Sequence, residues 1–273
     1  NGTLLDPPPP GLLEVQRGLF YGDGLFESMR MLEGALPLWP RHFRRLQLGM
    51  RILGLEGPPG WQAADWEREI RAVASGNARI RLTVWRAPGG LYLPADNRLQ
   101  FMVGVQAMDS SVWAWPETGI RLGLAEGLRL PVDAWSGLKT LNAGRYVAAA
   151  RQAAARGWDD ALLCNAYDRV CEASSSNVFW WEGPLLCTTL LSEGCVAGVM
   201  RAQVLDSALV AGYVVQEKAV TFTELQAQAG EIFLSNAVRG IIPVRNFAGK
   251  KLPSSRTRAL FETILQSKST PSL

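Results

Sequence analysis

The spacing of hydrophobic positions changes along the chain. In "WPRHFRRLQLGMRILGL" Phe43, Leu46, Met50 and Leu53 recur at helical intervals and predict an amphipathic helix; residues 61–75 predict a second one. The preceding "LFYGDGLFESMRML" reads as a Gly-hinged turn that runs into an apolar extended segment. "ARIRLTVWRA" alternates as a strand does, "PGG" turns the chain, and "LQFMVGVQAM" predicts another strand. Over 108–118 the pattern gives way to Ser, Trp, Pro and Glu, which predicts a link between two parts.

The second half has a different rhythm. "GIRLGLAEG" predicts a strand, and "AGRYVAAARQAAARG" an Ala-rich helix that stops at Gly157. Four short strands follow in "DDALLCN", "RVCEAS", "NVFWWEG" and "LLCT", joined by turns such as "AYDR". "AGVMRAQVLDSALVAG" predicts a helix opening after glycine, "YVVQEKAV" a strand, "TFTELQAQ" a short helix, "EIFLSNAV" a strand and "SSRTRALFETILQS" a last helix. Strands in runs, interleaved with helices but without regular βαβ alternation, predict an α+β protein of two parts. The expected division is an N-terminal domain at 1–107, a linker at 108–118 and a C-terminal domain at 119–273. The prolines at 7–10 form the one low-complexity stretch.

Composition narrows the classes. A 273-residue chain with 48% hydrophobic and 19% charged residues has the make-up of a globular protein with a large core. The net charge is +3 and no Lys/Arg run exceeds two residues, so no nucleic-acid partner is expected. Apolar runs such as "GIIPV" are too short to span a bilayer, and no membrane partner is expected. Cys164, Cys171, Cys187 and Cys195 are irregularly spaced and form no CxxC pair; they read as reduced, partly buried thiols of a cytoplasmic protein. With His42 as the single histidine, no metal site is expected, and Ser-His-Asp chemistry has one candidate base with no partner pattern.

Candidate chemistry starts from a bias. The chain carries five lysines against twenty-three arginines, and only Lys139, in "SGLKTLNAGRY", lies between apolar neighbours, Leu138 and Leu141. Alone it fits a lysine snorkelling at a strand end as well as an amine whose lowered pKa lets it form a Schiff base. Glu172, in "VCEASSSNVF", could sit against a pyridine nitrogen, or equally face water at a strand edge. Gly198 in "EGCVAGVMR" precedes a helix whose first N–H groups could bind phosphate, although many helices follow a glycine. Arg45 in "RHFRRL" could clamp a phosphate or lie on a solvated face.

Taken in order, these features resemble the fold-type IV pyridoxal-phosphate enzymes, the class IV aminotransferase group. The resemblance runs through "YGDGLFESMR" (21–30), "HFRRL" (42–46), "LKTLN" (138–142), "GWDDALLCN" (157–165), "EASSSNVF" (172–179), "GCVAGVMR" (194–201) and "LSNAVRGIIPV" (234–244). It implies a two-domain α+β fold, with a smaller N-terminal α/β domain and a larger C-terminal domain built on a β-barrel-like sheet with helices. It also implies pyridoxal 5'-phosphate as cofactor, a small-molecule amino substrate and a homodimer. By the same resemblance Lys139 bonds the cofactor's aldehyde, Glu172 meets its ring nitrogen, and Arg45, Val199, Met200, Asn236 and Ala237 surround its phosphate. Asn177 supports the ring's surroundings from behind, and Phe26, Ser28, Arg86 and Tyr92 are candidate substrate contacts. An arginine cannot become a neutral nucleophile, which accounts for the lysine at 139.

Within the group two reactions compete. Met200 and the Asn236–Ala237 pair, where many relatives carry hydroxyl residues, resemble the aminodeoxychorismate lyases, as does "R-x-x-G-G" at Arg86, Gly89 and Gly90. "RAPGGLYLP" lacks the Arg-x-His of the usual D-amino-acid aminotransferases, and Gly144 stands where branched-chain enzymes usually carry tyrosine. The expected activity is therefore 4-amino-4-deoxychorismate lyase, with a class IV aminotransferase of branched-chain or D-amino-acid type as the alternative. Lys139 and Glu172 together argue against a non-enzymatic binding protein.

Overall fold

The computed structural model describes residues 15–266. The chain divides into two compact units, one made of Asn1–Ser111 with Leu138–Asn142, the other of Val112–Gly137 with Ala143–Leu273. The first boundary lies inside the expected 108–118 link. The short stretch around Lys139, expected with the second part, groups with the first. The prolines at 7–10 lie outside the described residues.

In the first unit, α1 (Gln16–Tyr21) ends at Gly22, whose φ of 63° is the left-handed cap that glycine adopts without penalty. Three antiparallel strands follow in sequence order: β1 (Gly24–Met31), β2 (Ala78–Arg86) and β3 (Leu99–Ala107). Between β1 and β2 come α2 (Trp39–Leu53) and α3 (Ala63–Val73). Pro40 suits the first turn of α2, and a reciprocal Gln62–Asp65 capping box starts α3. Strand alternation decides what each face does. Leu25, Met29 and Met31 of β1 and Ile80, Leu82 and Val84 of β2 are buried in one cluster with Leu46, Trp66 and Ile70 of the helices. Each such side chain contributes about 1.5–3 kcal/mol on burial. The opposite face carries Phe26 and Ser28, paired across the ladder with Thr83 and Arg81 in an unbroken register.

Segment 138–142 joins this unit through its backbone. The Phe26 N–H donates to the Lys139 carbonyl at 2.9 Å, Leu25 bridges Thr140, and Leu138 is buried in the same core.

The second unit holds β4 (Ile120–Leu130), α4 (Gly144–Ala155), β5 (Asp160–Asn165), β6 (Val170–Ala173), β7 (Asn177–Glu182) and β8 (Leu185–Thr189). Then come α5 (Val199–Val210), β9 (Val215–Lys218), α6 (Phe222–Gln228), β10 (Glu231–Asn236), β11 (Gly240–Phe247), β12 (Lys250–Lys251) and α7 (Ser255–Phe261). The strands form one mixed sheet in the order β6-β5-β4-β11-β10-β7-β8-β9, with β12 on β11. The sheet curls back on itself: the Thr189 hydroxyl of β8 donates at 2.7 Å to the Cys171 carbonyl of β6, near the other end of the order. Its core contains Leu122, Leu162, Val178, Trp180, Ile232, Leu234, Val244 and Phe247. α4 covers β4 and β5 with Ala149 and Ala153, against Ala125, Ala161 and Leu163.

The fold is the α+β, two-unit arrangement expected, with α1, β11 and β12 added to the elements legible in the pattern. Cys164, Cys171, Cys187 and Cys195 are buried free thiols. Among the described residues no helix is long and apolar enough to cross a membrane.

Candidate active site

Lys139 is placed by the backbone bonds that dock 138–142 beside β1. Its Nζ lies 4.5 Å from the centre of the Phe26 ring, on the sheet face turned away from the α2–α3 core. Ser28 is the next residue on that face.

Behind Lys139, on the core side of β1, stands a network the sequence reading did not anticipate. Glu27 shares the parity of Leu25 and Met29, so its carboxylate is buried among apolar side chains. Burial favours protonation, but the Arg45 charge and hydrogen bonds from Arg45 and His42 outweigh it and hold the carboxyl at about 2. Arg45 donates from Nε at 2.8 Å, and His42 meets the other oxygen through Nδ1 at 2.7 Å. Both come from α2, three residues apart and hence on one face. Burial lowers the His42 pKa against the pull of Glu27, and its Nε2 is buried without a hydrogen-bond partner. Arg45 is thereby fixed in orientation. A carboxylate on the apolar parity of a strand was the available signal, because a buried acid needs a partner.

The second unit supplies Glu172 on β6, 4% exposed. One of its oxygens accepts from the Tyr146 hydroxyl at 2.8 Å and the Val196 N–H at 3.1 Å, the other from Asn177 Nδ2 at 3.3 Å. Burial and the neighbouring Glu172 charge push the Tyr146 phenol far up, so it stays a donor. Tyr146 was not singled out from sequence. Its spacing from Ala149 and Ala153, the buried stripe of α4, carries the signal.

Asn177 also donates to the Val196 carbonyl at 2.9 Å, which ties Glu172 to the entry of α5. At that entry Gly198 is the N-cap, with no side-chain cap and no acid in the first turn. A Cβ on Gly198 would stand 1.8 Å from Asn177 Oδ1, so only glycine fits. The helix therefore presents its first N–H groups, at Val199 and Met200, without competition from a side chain. Asn236 sits at the end of β10, donating to Ser176 at 2.9 Å and accepting from the N–H groups of Val238 and Arg239. The Ala237 carbonyl accepts from Trp113 at 3.2 Å.

Two residues expected to contact substrate, Arg86 and Tyr92, have contrasting surroundings. Arg86 is buried, with Nε on Asp23, one terminal nitrogen on the Gly54 carbonyl and Asn97, and the other on the Leu53 carbonyl. Those bonds anchor the loop after β2 to Asp23 and the end of α2. Tyr92 is 89% exposed, against the Tyr21 ring at 5.6 Å.

One unit thus offers a primary amine and an oriented guanidinium. The other offers a buried carboxylate held by dipoles and an uncapped helix start. Each of these donor types suits one part of a phosphorylated pyridine aldehyde. The family described as Amino-transferase class IV matches residues 24–247. An aminodeoxychorismate lyase from Vibrio harveyi is 29% identical over 231 residues, 84% of either chain. The solved 4-amino-4-deoxychorismate lyase from Pseudomonas aeruginosa is 31% identical with a TM-score of 0.77, covering 90% of this chain and 91% of its own. The branched-chain aminotransferase from Thermoproteus uzoniensis, solved with norvaline, is 25% identical with a TM-score of 0.81, covering 93% and 87%. The chain belongs to the class IV aminotransferase family of pyridoxal-phosphate enzymes.

Proposed function

We propose that the protein is a 4-amino-4-deoxychorismate lyase, releasing pyruvate and leaving p-aminobenzoate. The observation that carries this reading is the loop after β2. Arg86 is turned inward, and Gly89 and Gly90 follow with φ of 113° and 72°. The loop thus carries no Arg-x-His pair to seize an α-carboxylate, as the usual D-amino-acid enzymes do. Likeness to two lyases at 29% and 31% identity supports it.

When bound, pyridoxal phosphate supplies an electron sink next to the substrate amine. Lys139 would hold the cofactor through its aldehyde, and its free amine would act as the base. It takes the proton from the ring carbon bearing the nitrogen. The ether bond to the enolpyruvyl group breaks, the departing enolpyruvate takes up a proton to become pyruvate, and the ring becomes aromatic. Glu172 keeps the cofactor's ring nitrogen protonated. Arg45, the N–H groups of Val199 and Met200, and the Asn236–Ala237 turn hold the phosphate. Asn177 and Tyr146 hold Glu172.

The same proposal makes the protein a cytoplasmic homodimer. Four buried thiols support the first assignment. An apolar surface of Leu19, Phe20, Leu91, Tyr92 and Leu93, each more than 60% exposed, supports the second. A second reading, an aminotransferase, is favoured by the likeness to the branched-chain enzyme. Product analysis separates them. Purified protein given aminodeoxychorismate is expected to release pyruvate and p-aminobenzoate without a 2-oxo acid. A requirement for that acceptor, with conversion of branched-chain or D-amino acids, would overturn the lyase reading.

A further inference from the structure

The turn "YGDG" at 21–24 leads into β1 and touches both the loop after β2 and the segment that carries Lys139. On one side the Gly24 carbonyl accepts from the Leu141 N–H at 3.0 Å, and the Gly22 carbonyl from Asn142 Nδ2 at 3.4 Å. On the other, the Asp23 carbonyl accepts from the Arg86 N–H at 3.1 Å. Close packing requires both glycines. At Gly22, whose φ is 63°, a Cβ would stand 2.5 Å from Asn142 Oδ1, and at Gly24 it would stand 2.2 Å from the Val84 carbonyl oxygen. A residue with glycine on either side sits in an intrinsically loose stretch, because glycine has the most backbone freedom to lose.

The Asp23 side chain supplies the anchor that the glycines lack. One oxygen, Oδ2, accepts from Arg17 Nε and from Arg86 Nε, each at 2.9 Å. Both arginines are buried, and both contacts join a charged donor to a charged acceptor, the stronger kind of hydrogen bond. The terminal nitrogens then reach the loop. Arg17 Nη1 donates to the Gly89 carbonyl at 3.2 Å and the Leu91 carbonyl at 2.6 Å, while Arg86 holds Asn97 at the loop's far end and the Leu53 and Gly54 carbonyls beside it. The loop's backbone is thus held at tip and base, although Leu91, Tyr92 and Leu93 are exposed. Without the carboxylate, two buried like charges would face each other.

We infer that Asp23 is a positioning residue for this enzyme: gripped by Arg17 and Arg86, it holds the two-glycine turn in the shape against which both the loop after β2 and the Lys139 segment dock. This rests on Lys139 being the lysine that holds the cofactor, and not on which of the two reactions follows. Loosening the turn releases Leu141 and Asn142, and with them the placement of Lys139. Losing Arg17 alone releases only the tip of the loop, because the Asp23–Arg86 pair remains.

The test reads pyridoxal-phosphate affinity, by titration of the apoenzyme, and the rate of chymotrypsin cleavage at residues 91–93 of the loaded enzyme. Chymotrypsin must detach the backbone to cut it, so cleavage reports the hold on the loop. Asp23→Asn keeps the shape and removes the charge. It should weaken cofactor affinity about tenfold and speed cleavage about tenfold, the lower end of a charge-assisted hydrogen bond. Asp23→Glu should recover part of the affinity. Arg17→Gln should speed cleavage by a similar factor and leave affinity within about twofold of wild type. Adding Arg17→Gln to Asp23→Asn removes the repulsion between the guanidiniums, so the melting temperature should rise above that of Asp23→Asn while affinity stays low. An acid that only stabilised the fold would regain both together. The proposal is overturned if Asp23→Asn keeps wild-type affinity, or if the double variant recovers it. Should Asp23→Asn misfold, Arg86→Lys stands in, keeping the charge and losing the Nε donor, and wild-type affinity there overturns the proposal as well. Neither readout uses the substrate, so failure of the lyase reading shows separately, as no pyruvate from aminodeoxychorismate.

Discussion

Glu27 and Glu172 are both buried carboxylates, one in each unit, and their surroundings differ in kind. Glu27 is gripped by a guanidinium and an imidazole on the same turn of α2, which hold it at about 2. Glu172 is oriented by a phenol, a backbone N–H and a side-chain amide, donors that fix its oxygens and add no charge. Burial alone therefore does not set how a buried acid is held. A guanidinium within hydrogen-bond distance matches the charge of Glu27, whereas the phenol, the backbone N–H and the amide named at Glu172 orient its oxygens.

The sharpest way to break this contrast is to remove one charge at a time. Glu172→Gln keeps the shape and should lower turnover about a hundredfold to ten-thousandfold, the scale of a lost proton-transfer function, with little change in melting temperature. Glu27→Gln should do the reverse to the fold. It leaves Arg45 and His42 without their counter-charge, at a cost of about 3–5 kcal/mol in denaturant unfolding.

Glu27 also sets an acid limit. Its folded pKa of about 2 lies below the ordinary 4.5, so its stabilisation is complete above 4.5 and is lost as pH falls towards 2. That contribution is about 3 kcal/mol. His42 works in the same direction: its folded pKa is below 6.5, so the unfolded chain gains a proton first as pH drops. Wild-type unfolding free energy should therefore decline from about pH 6.5 downward and more steeply below 4.5, and Glu27→Gln should lack the lower step.

Smaller perturbations sharpen the picture at Glu172. Gly198→Ala drives a Cβ into Asn177 Oδ1 and should cost about 1–3 kcal/mol, read as weaker pyridoxal-phosphate binding on titration of the apoenzyme. Tyr146→Phe removes a donor to Glu172 and should lower kcat about tenfold with KM nearly unchanged.

Much of this was legible in the sequence wherever one periodicity held. The α2 stripe, the alternation of β2 and the Gly198 opening of α5 all appear at their expected places. β11 escaped because Pro243 interrupts it. The proline is tolerated because the ladder to β4 begins only at Val244, so its missing N–H breaks no bond on that side. α1 is only six residues long and shows no full stripe. Lys139 stands out in the sequence through the scarcity of lysine. Glu27, His42 and Tyr146 do not, because their partners lie 15 to 26 residues away and meet only once strands and helices pack. The inward turn of Arg86 was not legible, because a motif states residue types and not which way a side chain turns.

The central claim is that Lys139 is the amine that carries the cofactor. The direct measurement is borohydride reduction of the pyridoxal-phosphate-loaded protein, followed by peptide mass mapping. A pyridoxyl group on Lys139 is the expected result. The same label on Lys218, Lys250, Lys251 or Lys268, or on no lysine, would contradict the account.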